Sequence, residues 1–366
     1  MWKTASVIVG TALILTAFGI VMLLSTSSVH GLQQFNDPNY FIKRQALHLG
    51  LALVLGFFAT RIDYRIWRTW AIPLAILAAV LLVLAVLPGG IGVTVKGSSR
   101  WVRFGPVTFQ PSELAKLAVI VLVSWYMARS QRGVRELVRG LLIPLALIGV
   151  IALLILAAPD FGTTVLVGGV GLLLMFAGGT RVGYLAITAA LGGVSFLLLV
   201  MHNPVRMRRV MAFLNPEQYA KTEAFQLLSA IYAFVIGGAG GVGLGQSIQK
   251  RFYLPESHTD FIFAIIGEEL GLIASWSVVL LFGVLFWCGL RIALRTGDLF
   301  GKLLALGITL MITLQAAFNM AVVTGLVPTK GLPLPFISYG GSSIVMTFFM
   351  IGILVNIALT ADEEEL

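Results

Sequence analysis

The chain has 366 residues, 58% of them hydrophobic and only 11% charged, with a formal net charge of +9. No water-soluble fold hides that much apolar surface, so lipid must solvate much of it, and the length leaves no room for a further soluble domain of ordinary size. A single cysteine, Cys288, excludes an intramolecular disulfide.

The first apolar segment, 5–25, carries no small-residue cleavage pattern and is followed by further spans, so it reads as a retained helix and not as a signal peptide. Nine more windows have the length and hydropathy of membrane spans: 42–60, 70–87, 112–128, 140–158, 163–179, 183–201, 260–290, 300–323 and 343–360. The expected fold is therefore an all-α polytopic membrane protein of about ten transmembrane helices, forming one domain over 1–366. Its long outer loop, 202–259, lies between helices 7 and 8. The fifth and sixth spans are separated only by Pro159-Asp160-Phe161-Gly162, which predicts a tight hairpin.

An even number of spans puts both termini, including the acidic tail 361–366, on one side. The short segments on that side hold 12 of the 25 Lys and Arg residues, against seven on the other. The six in the long loop are discounted, and the excess places the termini in the cytoplasm. Nine bases on the outer side run against that retention rule: Lys96, Arg100, Arg103, Arg206, Arg208, Arg209, Lys250, Arg251 and Lys330. Arginine forks and lysine point charges suit phosphate, so an outward-facing anionic ligand explains them; solvated loop charge is the plainer alternative.

Within the long loop, 206–238 mixes bases and apolar residues as an interfacial helix does. The glycine run 237–245 contains a formal G-x-G-x-x-G match, but no βαβ unit surrounds it, so it reads as flexible or close-packed backbone and not as a dinucleotide site. Carboxylates concentrate just beyond, in LPESHTDFIFAIIGEELG (254–271). On a helix starting near Asp260, Ala264, Gly267 and Gly271 fall on the aspartate's face, Glu268 toward its edge, and the large apolar residues on the other. Asp260 then sits where a small, polar inner face meets water, below a loop holding Glu256 and His258. Ionisable residues inside a membrane are costly and point to function by default. For Glu268 and Glu269, an ion pair that locks helices together is the alternative.

Glu113 and Lys116 lie three apart on one helix face and can pair with each other; Asp160 follows a proline at a span junction, where a helix cap is the structural alternative. Gln315 and Asn319 form a polar stripe on the ninth span. The outer loop 324–343, rich in proline and glycine, reads as a re-entrant turn, with Lys330 at its tip and Ser338 as a candidate substrate contact. The histidines show no zinc-ligand spacing, and no hydrolase triad context is present.

Five blocks, KGSSRWVRFGPVTFQPSELAK (96–116), PDFGTT (159–164), RMRRVMAFLNP (206–216), 240–271 and PTKGLPLPFISYGGSS (328–343), resemble the SEDS family (shape, elongation, division and sporulation) over nearly the whole chain. Two of them, around QKRFYLPESHTDF and PTKGLPLPF, are closer to its FtsW branch than to RodA. The resemblance implies a peptidoglycan glycosyltransferase in the bacterial inner membrane. Such an enzyme extends glycan strands from lipid II with inversion and releases undecaprenyl pyrophosphate. Asp260 falls on the family's essential aspartate and is assigned as the base, acting directly or through a divalent cation, magnesium or manganese. The family's carboxylate and lysine of the fourth helix fall on Glu113 and Lys116. Arg206, Arg209 and Lys330 become candidates for the pyrophosphate, and Glu256, His258 and Ser338 for the rest of the substrate. Implied partners are lipid II, a class B penicillin-binding protein, other divisome or elongasome membrane proteins and membrane lipid, but not nucleic acid. A lipid II flippase and a non-catalytic divisome scaffold are the competing readings.

Overall fold

The computed structural model describes residues 1–87, 92–95, 98–105, 107–250 and 254–363. Lys96 and Arg251, and the last residues of the acidic tail, lie outside them. The chain is an all-α polytopic membrane protein. Its helices are α1 (Trp2–Phe35), α2 (Tyr40–Arg61), α3 (Ile66–Val86), α4 (Pro111–Arg129), α5 (Ile143–Ala157), α6 (Phe161–Ala177), α7 (Val182–Met201), α8 (Pro204–Leu214), α9 (Phe225–Gly237), α10 (Ile262–Arg295), α11 (Leu299–Val323) and α12 (Gly341–Glu363). Among the described residues, nine segments are long and apolar enough to cross a membrane: α1–α4, 138–157, α7, α10, α11 and α12. The sixth expected span is α6, apolar but only 17 residues long.

The starts of several helices follow from local chemistry. Pro111 and Pro204 open α4 and α8, where a missing N–H does no harm. Asp160, Asn203 and Asp298 cap α6, α8 and α11, each accepting a hydrogen bond from an otherwise unpaired backbone N–H of the first turn.

Three features depart from the sequence reading. Between α3 and α4 lies a small antiparallel sheet, β1 (Gly92–Val95), β2 (Ser98–Phe104) and β3 (Val107–Phe109), in that order, with β2 packed on α3. The stretch expected as one interfacial helix is two, α8 and α9, parted after Leu214 where Asn215-Pro216 interrupts the pattern; α9 packs on α10. Finally, α10 starts at Ile262, so Asp260 lies in the turn before it, and its first turns are buried all round. The two-faced wheel counted from Asp260 therefore fails, because α1, α9 and α11 cover the face expected to meet lipid.

A break in α10 explains the glycine run. Gly271 has φ 75° and ψ −170°, a conformation open in practice only to glycine, and it interrupts the helical ladder. The freed carbonyls of Glu268 and Glu269 accept from Val242 N–H (3.0 Å) and Gly243 N–H (2.9 Å), while Leu272 N–H donates to the Gly238 carbonyl (3.0 Å). A Cβ at Gly237 or Gly241 would strike this α10 backbone. The glycines serve close approach of two chains, which is what buried backbone groups off the ladder require.

Candidate active site

The loop 324–340, expected to be re-entrant, is irregular backbone, and side chains from three helices hold it in place. Asn319, near the end of α11, donates to the carbonyls of Asp260 (2.7 Å) and Leu332 (2.6 Å), tying the turn 254–260 to the loop. One helical turn earlier, Gln315 donates to Pro333 O (2.8 Å) and accepts from Lys116 Nζ (2.8 Å), which also pairs with Glu113 at 2.8 Å. Glu113 and Lys116 are both almost fully buried. Their pair is thus a strut beneath the loop, and it leaves little of Lys116 for a ligand. Gln45 of α2 accepts from Gly340 N–H (3.3 Å).

Ser338, expected as a substrate contact, is buried; its hydroxyl donates to Thr259 O (2.6 Å) and accepts from Leu334 N–H (2.8 Å). That hydroxyl staples the loop to the turn, which commits its proton and one lone pair within the protein. Glu256 has a left-handed backbone (φ 56°), and its carboxylate accepts from Thr259 Oγ1 at 3.0 Å, which shapes the turn. The His258 ring lies against Phe41 (4.7 Å between centroids) and Tyr339 (6.0 Å). At the end of this turn stands Asp260, half-buried, with its carboxylate so close to Gly331 that any Cβ there would collide with it. Gly331 neighbours Lys330, so the loop brings a cation's backbone to the aspartate.

The cations gather around one ring. The Arg206 guanidinium sits 3.6 Å from the centroid of Phe161, and Lys330 Nζ 4.7 Å from it. Arg100 of β2 donates through Nε to Ala158 O (3.2 Å), and also to Pro159 O, at the α5–α6 hairpin beside that ring. Arg209 lines a small pocket with Thr329 of the loop. Burial pushes the Lys330 ammonium down to about 7; Asp160 opposes that fall, and Arg100, Arg206 and Arg209 reinforce it. Burial also lowers the Arg206 pKa. Among the described residues, ion pairs engage other bases of this side: Arg208 with Glu223 (3.3 Å) and Lys250 with Glu269 (2.7 Å). Among the described residues no ion pair within 4 Å engages Arg100, Arg206, Arg209 or Lys330; Arg209 is exposed and the other three are half-buried, and cations that repel one another in this way form a ready anion seat. Asp160 is a cap: Oδ1 accepts from Thr163 N–H (3.3 Å), and Oδ2 from the hydroxyls of Thr163 (2.9 Å) and Ser112 (3.3 Å).

Glu268 and Glu269 do not join Asp260. The Glu268 carboxylate accepts from the Ile248 N–H (2.8 Å), the Gln249 N–H (3.3 Å) and the Ser247 hydroxyl. Glu269 holds Lys250 Nζ and accepts from Ser25 of α1 (2.7 Å). Both carboxylates are completely buried, and the cluster ties α1, α10 and the segment 247–250 together. Lys250 is thereby removed from the set of bases open to an anion. Phe161, the ring on which the cations rest, was missed from sequence, where nothing distinguishes it from the other 22 phenylalanines. Arg100 was among the outer bases but not singled out.

The family model for the FtsW/RodA/SpoVE cell cycle proteins matches residues 5–363. A protein of Trichlorobacter lovleyi named probable peptidoglycan glycosyltransferase FtsW is 44% identical over 344 residues, covering 94% of this chain and 90% of that protein. Among solved structures, a chain from work described as structural coordination of polymerization and crosslinking by a peptidoglycan synthase complex superposes with a TM-score of 0.79. It is 26% identical, and 97% of each chain is covered. The crystal structure of the Thermus thermophilus rod shape determining protein RodA gives 0.71 at 25% identity, over 96% of this chain and 95% of that one.

Proposed function

This chain belongs to the FtsW/RodA/SpoVE family of cell cycle proteins, and from that premise we propose that it is a peptidoglycan glycosyltransferase of the FtsW type, polymerising lipid II. The observation that carries the residue assignment is the arrangement across Gly331: one half-buried carboxylate, Asp260, beside a group of cations that have no ion-pair partner.

Asp260 takes the proton of the acceptor 4-hydroxyl as its oxygen attacks the anomeric carbon of the donor. The bond from that carbon to the diphosphate oxygen breaks on the opposite face, so the configuration inverts. Negative charge then grows on the departing undecaprenyl diphosphate, where Arg206, Arg209 and Lys330, with Arg100 behind them, meet it. Donors fixed in advance where charge develops need no reorganisation during the step. The Glu113–Lys116 strut, Asn319 and Ser338 position the loop and the turn; they do not touch the reacting atoms.

Among the described residues no three His, Cys, Asp or Glu side chains gather as a metal site. One carboxylate with a substrate diphosphate is nevertheless a donor set that suits magnesium or manganese, so Asp260 would hold such an ion, and its charge would help neutralise the diphosphate.

The site faces the outside of the bacterial cytoplasmic membrane, with both termini in the cytoplasm; the arginine-rich turns around 61–68 and 129–139 support that orientation. The likeness to a chain of a peptidoglycan synthase complex supports a class B penicillin-binding protein as the partner.

The test is polymer formation from purified lipid II by the chain with its cognate transpeptidase, for the wild type and Asp260→Asn. Glycan chains from the wild type alone are the expected result. Polymer from both removes Asp260 from the chemistry, and polymer from neither, with the complex folded and lipid II bound, turns the reading toward transport.

A further inference from the structure

Asp260 adjoins two unlike neighbourhoods. Through Gly331 it adjoins the loop that carries Lys330. Through its own turn, at His258, it adjoins a continuous row of rings that the mechanism does not use. Phe35, at the end of α1, stacks face to face on Tyr40 at the start of α2, with centroids 3.7 Å apart and planes 7° apart. Phe41 meets Tyr40 and Phe35 edge-on at 5.4 and 5.8 Å. It then meets Tyr339 edge-on at 5.2 Å and the His258 ring at 4.7 Å. The Tyr339 N–H donates to the His258 carbonyl (3.0 Å), so the row ends on the turn that carries Asp260. Phe41 is buried and fixes the others; Tyr40, His258 and Tyr339 are half-buried, and Phe35 is 46% exposed. Arg44 covers the Tyr40 ring at 5.0 Å.

This composition selects a ligand. An anionic diphosphate is repelled by the negative faces of aromatic rings, whereas a pyranose offers a face of C–H groups rimmed by hydroxyls. Rigid rings bearing phenol, imidazole and guanidinium groups at their edges supply apolar contact and hydrogen bonds together, with little side-chain entropy to lose. A belt of rings at the membrane surface is the other use of such residues, yet this row turns inward and interlocks with the catalytic turn and the re-entrant loop.

We propose that the shelf formed by Phe35, Tyr40, Phe41, His258 and Tyr339 seats the acceptor glycan, a neutral β-linked N-acetylhexosamine chain, while the diphosphate donor lies on the cationic side of Asp260. The assignment of acceptor and donor rests on the glycosyltransferase reading. It brings the attacking hydroxyl to Asp260 from the shelf and leaves the diphosphate to the cations, so that the anomeric carbon lies between nucleophile and leaving group, as an inverting displacement requires.

The experiment is saturation-transfer NMR of N-acetylchitotetraose with the full chain in detergent, for the wild type, Phe35→Leu, Tyr40→Leu, Tyr40→Phe and Arg206→Ala. The saccharide should bind the wild type, weaken about five-fold or more in each leucine variant, and be retained in Tyr40→Phe and Arg206→Ala. Equal binding by the leucine variants overturns the shelf, as does loss only in Arg206→Ala. No binding by the wild type reduces the row to a membrane-surface belt and also overturns it. Lipid II polymerisation by the same variants, each with the cognate transpeptidase, separates the two levels. A polymerising wild type with indifferent leucine variants sinks the shelf and leaves the enzyme. A wild type that makes no polymer, yet loses saccharide binding through Phe35→Leu and Tyr40→Leu, keeps a glycan shelf and sinks the polymerase.

Discussion

Two charged clusters in this protein do opposite things. Around Glu268 and Glu269 every charge is answered: Lys250 Nζ lies 2.7 Å from a carboxylate oxygen, and Ser25, Ser247 and backbone N–H groups take up remaining lone pairs. Around Phe161 two cations, Arg206 and Lys330, share a hydrophobic ring, Arg100 holds the hairpin beside it, and Asp160, the carboxylate whose field reaches Lys330, is already busy as a cap. Compensated charge in the interior fixes structure; uncompensated charge waits for a ligand. Asp260 meets the second cluster's loop at Gly331.

Substitutions can break this division. Asp260→Asn should lower the polymerisation rate by about 10²–10⁴-fold, the usual worth of a positioned base, while the melting temperature of the purified protein stays where it was. A matching fall in melting temperature would move Asp260 to the structural side. Glu269→Ala should do the reverse. It leaves Lys250 charged and buried without a partner, a loss of about 3–5 kcal/mol, read as a lower unfolding midpoint in detergent. The double variant Lys250→Met/Glu269→Leu should recover most of that loss, because a buried ion pair is weak support compared with apolar packing.

Lys330→Ala should raise the apparent KM for lipid II by about ten-fold, on the order of one charge-assisted hydrogen bond, with kcat little changed. A fall in kcat alone would place Lys330 in the transition state only. The smallest effect concerns pH. The ammonium binds the diphosphate only when protonated, and its pKa is held at about 7. Lipid II affinity should therefore be full below pH 7 and weaken as the pH rises through 7. Lys330→Arg keeps its charge and should flatten that profile in a titration of KM between pH 6 and 8.

Much of the architecture was legible in the sequence, because lipid imposes a simple rule. A segment that crosses hydrocarbon must satisfy its own backbone and cover itself with apolar side chains, so hydropathy and length locate the helices. Local caps did the rest for Asp160, the helix-cap alternative for that residue, and the three-residue spacing of Glu113 and Lys116 announced their contact. The sheet 92–109 escaped notice because its strands are short and lack a strong alternating pattern. The division of 206–238 into α8 and α9 was hidden because both halves are amphipathic enough to read as one helix.

What sequence alone determined, then, is the membrane class, the order of the apolar helices and the irregular loop 324–340 between the last two of them. Each of these depends on properties carried by a few neighbouring residues. The tertiary structure decided which charges are answered. Lys250 and Lys330 both lie in segments between membrane helices, and nothing in their local sequence separates them. Glu269 lies 19 residues from Lys250, and Asp160 lies 170 from Lys330, so only the packing of α1, α6, α8 and α10 pairs the first lysine and leaves the second among other cations. Electrostatic compensation acts through space over a few ångströms, and chain order does not record that distance.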